Sequence, residues 1–213
     1  MLALPKTLLA TALTAAIFFL SACSQPSNPL GGDVITAKAS EPANLAAPVT
    51  AKAAYVSLYK SAYKWTPDAV MLRLEPKEMP GFQNGGGKAA LWEGTFASAS
   101  QHVYRIFTYA IAAHPPDIYQ GVSIGRAIPW GGVTRDAMPI EASEFLCDSD
   151  AAYTAAAADA AAWLKKNPDK KLSELQLGNG YRFPGPIWYV MWGDKKSGYV
   201  AYVNATTGKV MKK

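Results

Sequence analysis

Cysteine, histidine and charge are all scarce in this chain. It has two cysteines, two histidines and only 17% charged residues across its 213 positions. His102 and His114 lack the spacing of metal ligands, so no metal site is expected. Half the residues are apolar, which with so little charge describes a globular protein and not a disordered one. The basic residues are scattered apart from short lysine pairs such as Lys165-Lys166 and Lys195-Lys196. Nucleic-acid binding needs a denser stripe with aromatics interleaved, so no nucleic-acid partner is expected. No apolar run reaches the 20 or so residues of a comfortable transmembrane helix.

What the N-terminus does carry is one cation, Lys6, and then an apolar or small run from Thr7 to Ala22. That order describes a secretory signal over 1–22. Its end, Leu20-Ser21-Ala22-Cys23, resembles the lipobox of bacterial lipoproteins. The resemblance implies that Cys23 is diacylated and becomes the mature N-terminus, so membrane lipid is the first expected partner. The implied address is the cell envelope. Ser24 after the cysteine implies outer-membrane sorting, facing the periplasm, in a cell with two membranes. Residues 23–48 are rich in Pro, Gly, Ser and Ala without periodicity, and read as a flexible tether. Dropping Lys6 from the formal charge of +5 leaves about +4 for the mature chain. With Cys23 acylated, Cys147 is the only thiol and no intrachain disulfide forms.

The folded part echoes itself. AAYVSLYKSAYKW (53–65) aligns with AAYTAAAADAAAW (151–163), which pairs Trp65 with Trp163. Further on, Trp92 in KAALWEGTF pairs with Trp188 in PGPIWYVMW, and Tyr104 in VYRIFTYA with Tyr199 in GYVAYVNA. Three alignments in one order predict a degenerate duplication. The second helix should begin at Ser149 as N-cap, end at Lys165-Lys166 before Asn167-Pro168, and carry Tyr153, Ala157, Ala160 and Leu164 on one face. The first should run from about Thr50 to Lys64, with Tyr55, Tyr59 and Ala62 on one face and Leu58 beside them. VMLRLE (70–75) and LSELQL (172–177) alternate as half-buried strands. Trp188, Val190 and Trp192 share one strand face, and Ile187, Tyr189 and Met191 share the other. The second face is expected to be covered by the other copy.

The closing stretch GPIWYVMWGDKKSGYVAYVNATTGKVM resembles the end of a PepSY domain, a small envelope module of helix plus antiparallel sheet. Tyr202-Val203-Asn204-Ala205-Thr206-Thr207-Gly208-Lys209-Val210 carries the resemblance, with Asn204 where an acid is common. The fold class expected is therefore α+β, with two PepSY-like repeats at 49–112 and 149–213 and a connecting segment at 113–148. Trp65, Trp92, Trp163, Trp188 and Tyr199 are expected to be structural aromatics.

Few motifs suggest chemistry. GFQNGGGKA (81–89) is not a Walker loop, because Phe82 and Ala89 stand where a glycine and a hydroxyl residue are required, and it reads as a flexible hairpin tip. Asn204-Ala205-Thr206 is a glycosylation triplet by pattern only. Glu141 and Glu144 read as a solvated face. Cys147 reads as a small half-buried residue. Trp130, flanked by Pro129 and Gly131-Gly132, is the candidate contact for a ligand or partner, with packing between lobes as the other reading. No catalytic residue and no cofactor is expected. The PepSY resemblance implies a non-enzymatic binding or regulatory module that modulates a secreted peptidase or another envelope protein. The alternatives are a scaffold in an envelope complex and a hydrolase built on Cys147 or the Glu141/Glu144 pair.

Overall fold

The computed structural model describes residues 47–212; the signal, Cys23 and most of the tether lie outside them. The described chain is α+β, with a mainly antiparallel sheet and a few helices. A short strand β1 (Val49–Thr50) leads into helix α1 (Ala51–Trp65) and strand β2 (Val70–Lys77). Then come β3 (Lys88–Ala89), β4 (Leu91–Ser98), β5 (Val103–Ala110), β6 (Gly121–Ile124) and β7 (Ile128–Pro129). The second half runs α2 (Ser149–Asp159), α3 (Ala161–Lys166), β8 (Leu172–Gly178), β9 (Ile187–Trp192), β10 (Tyr199–Asn204) and β11 (Val210–Met211). Nine strands form one sheet in the order β11-β10-β9-β8-β2-β4-β5-β6, with β7 pairing the start of β5 along the same edge that β6 pairs further on. Every pairing is antiparallel.

The expectation that each copy covers the other's second face is corrected here. The halves meet edge to edge, where Arg73 and Leu74 of β2 pair with Gly178 and Leu177 of β8. Joining two three-strand units along free edges satisfies the backbone groups that an exposed edge leaves open. Among the described residues it also leaves one sheet face without helices. The connecting segment is more than a link, since it adds β6 and β7 to the sheet and Ile140, Phe145 and Cys147 to the core.

Of the residues placed on the expected faces, Leu58, Ala62 and Ala160 are buried, but Tyr59 is exposed and the buried stripe runs through smaller residues. In α1 the buried positions are Ala51, Ala54, Leu58 and Ala62. In the second half they are Ser149, Ala152, Ala156 and Ala160. Small residues let the backbone sit close to the sheet. The bulkier Tyr55, Tyr153 and Leu164 pack half-buried beside the contact line. The second helix breaks at Ala160, where the Tyr199 hydroxyl donates to the Asp159 carboxylate at 2.7 Å and its carbonyl at 3.3 Å. The alternation expected in VMLRLE is interrupted by a bulge at Leu72, and a bulge at Ser173 stands at the corresponding place in β8. These bulges let both Met71 and Leu74 face the core.

The N-terminal ends of the two helices meet. Thr50, the N-cap of α1, makes no side-chain cap. The capping comes from the other half: Ser149 Oγ accepts from Ala51 N–H at 2.8 Å, and Asp148 Oδ1 accepts from Lys52 N–H at 2.9 Å. Asp148 Oδ1 also accepts from Ser149 N–H at 2.7 Å, so Asp148, not Ser149, is the N-cap of α2. One carboxylate thus serves two helix N-termini, each equivalent to about half a positive charge.

The 81–89 loop is not a free tip. Lys88–Ala89 pairs with Val49–Thr50, and Gly87 (φ 78°) packs so close to the Ser149 carbonyl that a β-carbon has no room. Each helix exit is also tied to the hairpin turn beside it. Asp68 accepts from Ser98 Oγ at 2.8 Å and Ser100 N–H at 2.8 Å, and Lys170 donates to Asp194 at 3.2 Å. The hydrogen bond from Thr66, with those from the Ser100 backbone and Ser98, holds the Asp68 carboxyl well below the usual carboxylate range.

Two outcomes are expected from thermal or denaturant melts. Asp148→Ala should cost about 2–4 kcal/mol, since two caps are lost at about 0.5–2 kcal/mol each plus exposure of unpaired N–H groups, whereas Thr50→Ala should be nearly neutral. Gly87→Ala should cost about 2–4 kcal/mol, the sum of a left-handed backbone penalty and overpacking. Gly86→Ala, also at positive φ but with open space around it, should cost only about 1–2 kcal/mol.

Candidate functional site

The helix-free face of the sheet is the candidate site. Strand alternation decides which residues reach it. In β4, Trp92, Gly94 and Phe96 point to the helices, which leaves Glu93 and Thr95 on the open side. By the same count β5 presents Tyr104 and Ile106, β8 presents Glu174 and Gln176, β9 presents Ile187 and Tyr189, and β10 presents Tyr202.

Two hollows lie on this face. One, of about 430 Å³, sits over the first half and is walled by Tyr104, Ile106, Thr95, Glu93 and Trp130. The other, of about 460 Å³, sits over the second half and is walled by Tyr181, Arg182, Phe183, Tyr189, Tyr202 and Glu174. They share Asp136, Gln176 and Gly178, so they adjoin where the halves meet.

Two loops roof the junction and are stitched together. Met138 N–H donates to the Asn179 carbonyl at 3.0 Å, Asn179 Nδ2 to the Pro139 carbonyl at 2.7 Å, and Tyr181 N–H to the Arg135 carbonyl at 2.8 Å. The Arg135 guanidinium stacks 4.0 Å above the Tyr181 ring. Arg182 lies over Tyr202 at 5.2 Å and Phe183 at 5.5 Å and donates to the Tyr202 hydroxyl at 3.4 Å. Phe183 and Tyr202 are 4.8 Å apart, and Tyr189 and Tyr202 are 5.6 Å apart. The Tyr189 hydroxyl donates to Met191 Sδ at 3.3 Å, and burial, then Glu174 and Tyr202, push its pKa up. At the far end of β2, Lys77 pairs with Glu75 at 2.6 Å and Glu93 at 3.3 Å. Burial works against the Lys77 charge, but the two carboxylates outweigh it and hold its pKa above the ordinary value. Such a face offers ring surfaces, planar hydrogen-bonding groups and both signs of charge. That suits non-covalent recognition of an extended polar chain.

Trp130 is half-buried at the rim of the first hollow, seated by its backbone N–H donating to the His102 carbonyl at 2.9 Å. Trp92 and Trp188 are fully buried under the helices. The Trp92 indole donates to the Val49 carbonyl at 3.0 Å and the Trp188 indole to the Cys147 carbonyl at 2.9 Å. Both acceptors stand two residues before the first helical residue. Trp65 is half-buried against Phe107 at 5.9 Å, beneath the Arg105 guanidinium at 5.4 Å. Trp163 is half-buried against Tyr199 at 5.9 Å. In the strand register Tyr199 stands opposite Trp192, as Arg105 stands opposite Phe96. The residue matching Tyr199 is therefore Arg105, one place from the Tyr104 of the sequence alignment.

The remaining candidates line neither hollow. Cys147 is buried, its N–H donates to the Ala205 carbonyl at 2.6 Å, and its Sγ lies against Gly208. Burial first, then the Asp148 charge, pushes its thiol up, which keeps it protonated and weakly nucleophilic. Glu141 is exposed, and its N–H meets the Glu144 carboxylate at 3.4 Å. Asn204 Oδ1 accepts from Thr206 N–H and Thr207 N–H, the turn chemistry of an Asx residue, and Gly208 takes φ 70°. Among the described residues no three His, Cys, Asp or Glu side chains cluster as metal ligands, and no helix is long and apolar enough to cross a membrane. Cys23 lies outside the described residues.

The chain matches no protein-family model and no curated protein. Among solved structures it is similar to a putative lipoprotein from Clostridium difficile 630, at 12% identity and a TM-score of 0.45, over 78% of this chain and 91% of that one.

Sequence reasoning singled out Trp130 but missed Tyr181-Arg182-Phe183 and the polar face of β8. The signal was present: Glu174 and Gln176 alternate with Leu175 and Leu177, and Glu93 and Thr95 alternate with Trp92 and Phe96. In melts, Trp188→Ala and Trp92→Ala should each cost about 3–5 kcal/mol, as deletions of large buried aromatics do, and Trp130→Ala about 1 kcal/mol. A larger loss from Trp130→Ala would put the core at the loop junction instead.

Proposed function

We propose that this chain is a non-enzymatic binding module of the cell envelope, acylated at Cys23, that engages an extended segment of a peptidase or another envelope protein along its helix-free sheet face. On this reading the two halves are PepSY-like repeats of one ancestral unit, and the outer membrane is the address in a cell with two. The observation that carries the reading is the pair of adjoining hollows, lined by Trp130, Tyr104, Tyr189 and Tyr202 and sharing Asp136, Gln176 and Gly178. Rings set among planar polar groups favour a chain that presents alternating side chains to a pleated surface. Shared geometry supports the repeat reading: helix, sheet strands and bulge recur in order, and each half has a buried tryptophan bonded to the carbonyl two residues before its helix. A hydrolase built on Cys147 has less behind it, because that thiol is buried and raised and its backbone serves the fold.

Titration with casein-derived peptides, which are unfolded and varied in sequence, tests the reading. Side-chain resonances of Tyr104, Tyr189 and Tyr202 should shift, and Trp130→Ala should weaken the interaction by about tenfold, the scale of a modest interface hot spot, with little change in melting. Shifts confined to the helical face, or cleavage of the peptides by the chain, would contradict it.

A further inference from the structure

The outward face of α1 is made unlike that of its counterpart. Both helices sit on the sheet through matching residues: Ala51, Ala54, Leu58 and Ala62 in one, Ser149, Ala152, Ala156 and Ala160 in the other. Their solvent sides should therefore be free to resemble each other. They do not. Where the second helix shows Thr154, Ala158, Ala161 and Ala162, α1 shows Val56, Tyr59, Lys60, Tyr63 and Lys64. Val56 is 67% exposed, Tyr63 55% and Tyr59 40%. The rings form a continuous ladder, Phe145 to Tyr55 at 5.5 Å, Tyr55 to Tyr59 at 5.5 Å and Tyr59 to Tyr63 at 6.4 Å. Leu146, 57% exposed, extends it, tied in by Lys52 Nζ donating to its carbonyl at 2.6 Å.

The charges on this helix have one sign. Lys52, Lys60 and Lys64 are its only charged residues; it contains no Asp or Glu. Of the acids near it, Glu141 and Asp148 lie toward its N-terminal end, and Asp68 lies at its C-terminal exit, engaged by Thr66, Ser98 and Ser100. Tyrosines with an apolar body and a polar tip, flanked by lysines on long stems, match the boundary between acyl chains and anionic headgroups.

We propose that the outward face of α1, from Leu146 through Tyr63, is a docking surface for an anionic lipid bilayer. The occupant is chosen by two features. The exclusively positive charge of α1 complements anionic headgroups, at about 1 kcal/mol per lysine near the surface. The helix is also the first long element of the described chain, entered directly from Val49–Thr50. In this respect the inference rests on the anchor reading, since an acyl group at Cys23 would hold the folded part near a bilayer. Docked this way, the outward face of α1 meets the membrane and the open sheet face is turned away from it, free for a partner.

The test uses the full chain with vesicles of phosphatidylcholine, with and without phosphatidylglycerol, carrying a lipid-borne quencher. Ala53→Cys and Ala151→Cys occupy matching exposed positions on the two helices and take an environment-sensitive fluorophore, while Cys147 is buried. The unsubstituted chain labelled in parallel, with the mass of residue 23, reports whether Cys23 is acylated or free. The label at 53 should be quenched on phosphatidylglycerol vesicles and the label at 151 should not. Lys60→Ala with Lys64→Ala should lower the partitioning by about tenfold or more. Equal quenching at 53 and 151, no quenching at 53, or shielding of 53 that requires an added protein would overturn the proposal. Quenching at 53 with a free Cys23 would uphold the docking surface and reject the anchor.

Discussion

Two helix N-termini converge on the Asp148 carboxylate, and the rest of the architecture is arranged around that meeting. Alone, each end presents unpaired N–H groups and a partial positive charge, and bringing two such ends together is unfavourable. Asp148 offsets both, accepting from Ser149 and Lys52, while Ser149 Oγ takes Ala51 N–H. Behind the ends, Trp92 and Trp188 hold the entering backbone by their indoles. Each helix packs over its own half, α1 on β4 and β5 and α2 on β9 and β10, and their joined ends tie together two halves whose strands β2 and β8 pair only through Arg73–Gly178 and Leu74–Leu177. A seam that short needs support from above, and the helix ends supply it.

The same arrangement divides the molecule's surfaces. Both helices lie on one side of the sheet, so among the described residues the other side has no cover except the stitched loops around Asp136 and Asn179. The polar alternation of β4 and β8 therefore meets solvent, with the aromatic wall of Tyr181, Phe183, Tyr189 and Tyr202 beside it. Recognition chemistry and packing chemistry are separated by the thickness of one sheet. Trp188 and Tyr189, adjacent in sequence, belong to different tasks because successive strand residues point to opposite faces.

Much of this was legible in the sequence where periodicity and stop signals are local. The helix exits at Thr66-Pro67 and Asn167-Pro168 and the two faces of IWYVMW needed nothing from elsewhere in the chain. Three things were hidden. The buried helical stripe is set by how closely small residues can approach the sheet, so it runs through Ala152 and Ala156 and bypasses the larger Tyr153. The bulges at Leu72 and Ser173 shift the alternation, and no residue type announces them. The capping of α1 comes from residues nearly a hundred positions away, so Ser149, which has the form of a cap for its own helix, serves the other one. At the site, Trp130 stood out by its Pro and Gly neighbours. Tyr181-Arg182-Phe183 did not, because its meaning comes from Tyr202 across the sheet.

Native-state hydrogen exchange tests the central claim most directly. If the helix ends and the two tryptophans form the unit on which the fold depends, then the Ala51, Lys52 and Ser149 amides and the Trp92 and Trp188 indole protons exchange only through global unfolding. All five would show one common free energy, equal to that from denaturant melts, while the half-buried Trp130 indole exchanges far faster. Exchange of the first-half protons at a lower free energy than the second-half protons would contradict the account, because it would mean that the halves open separately and the shared carboxylate does not bind them into one.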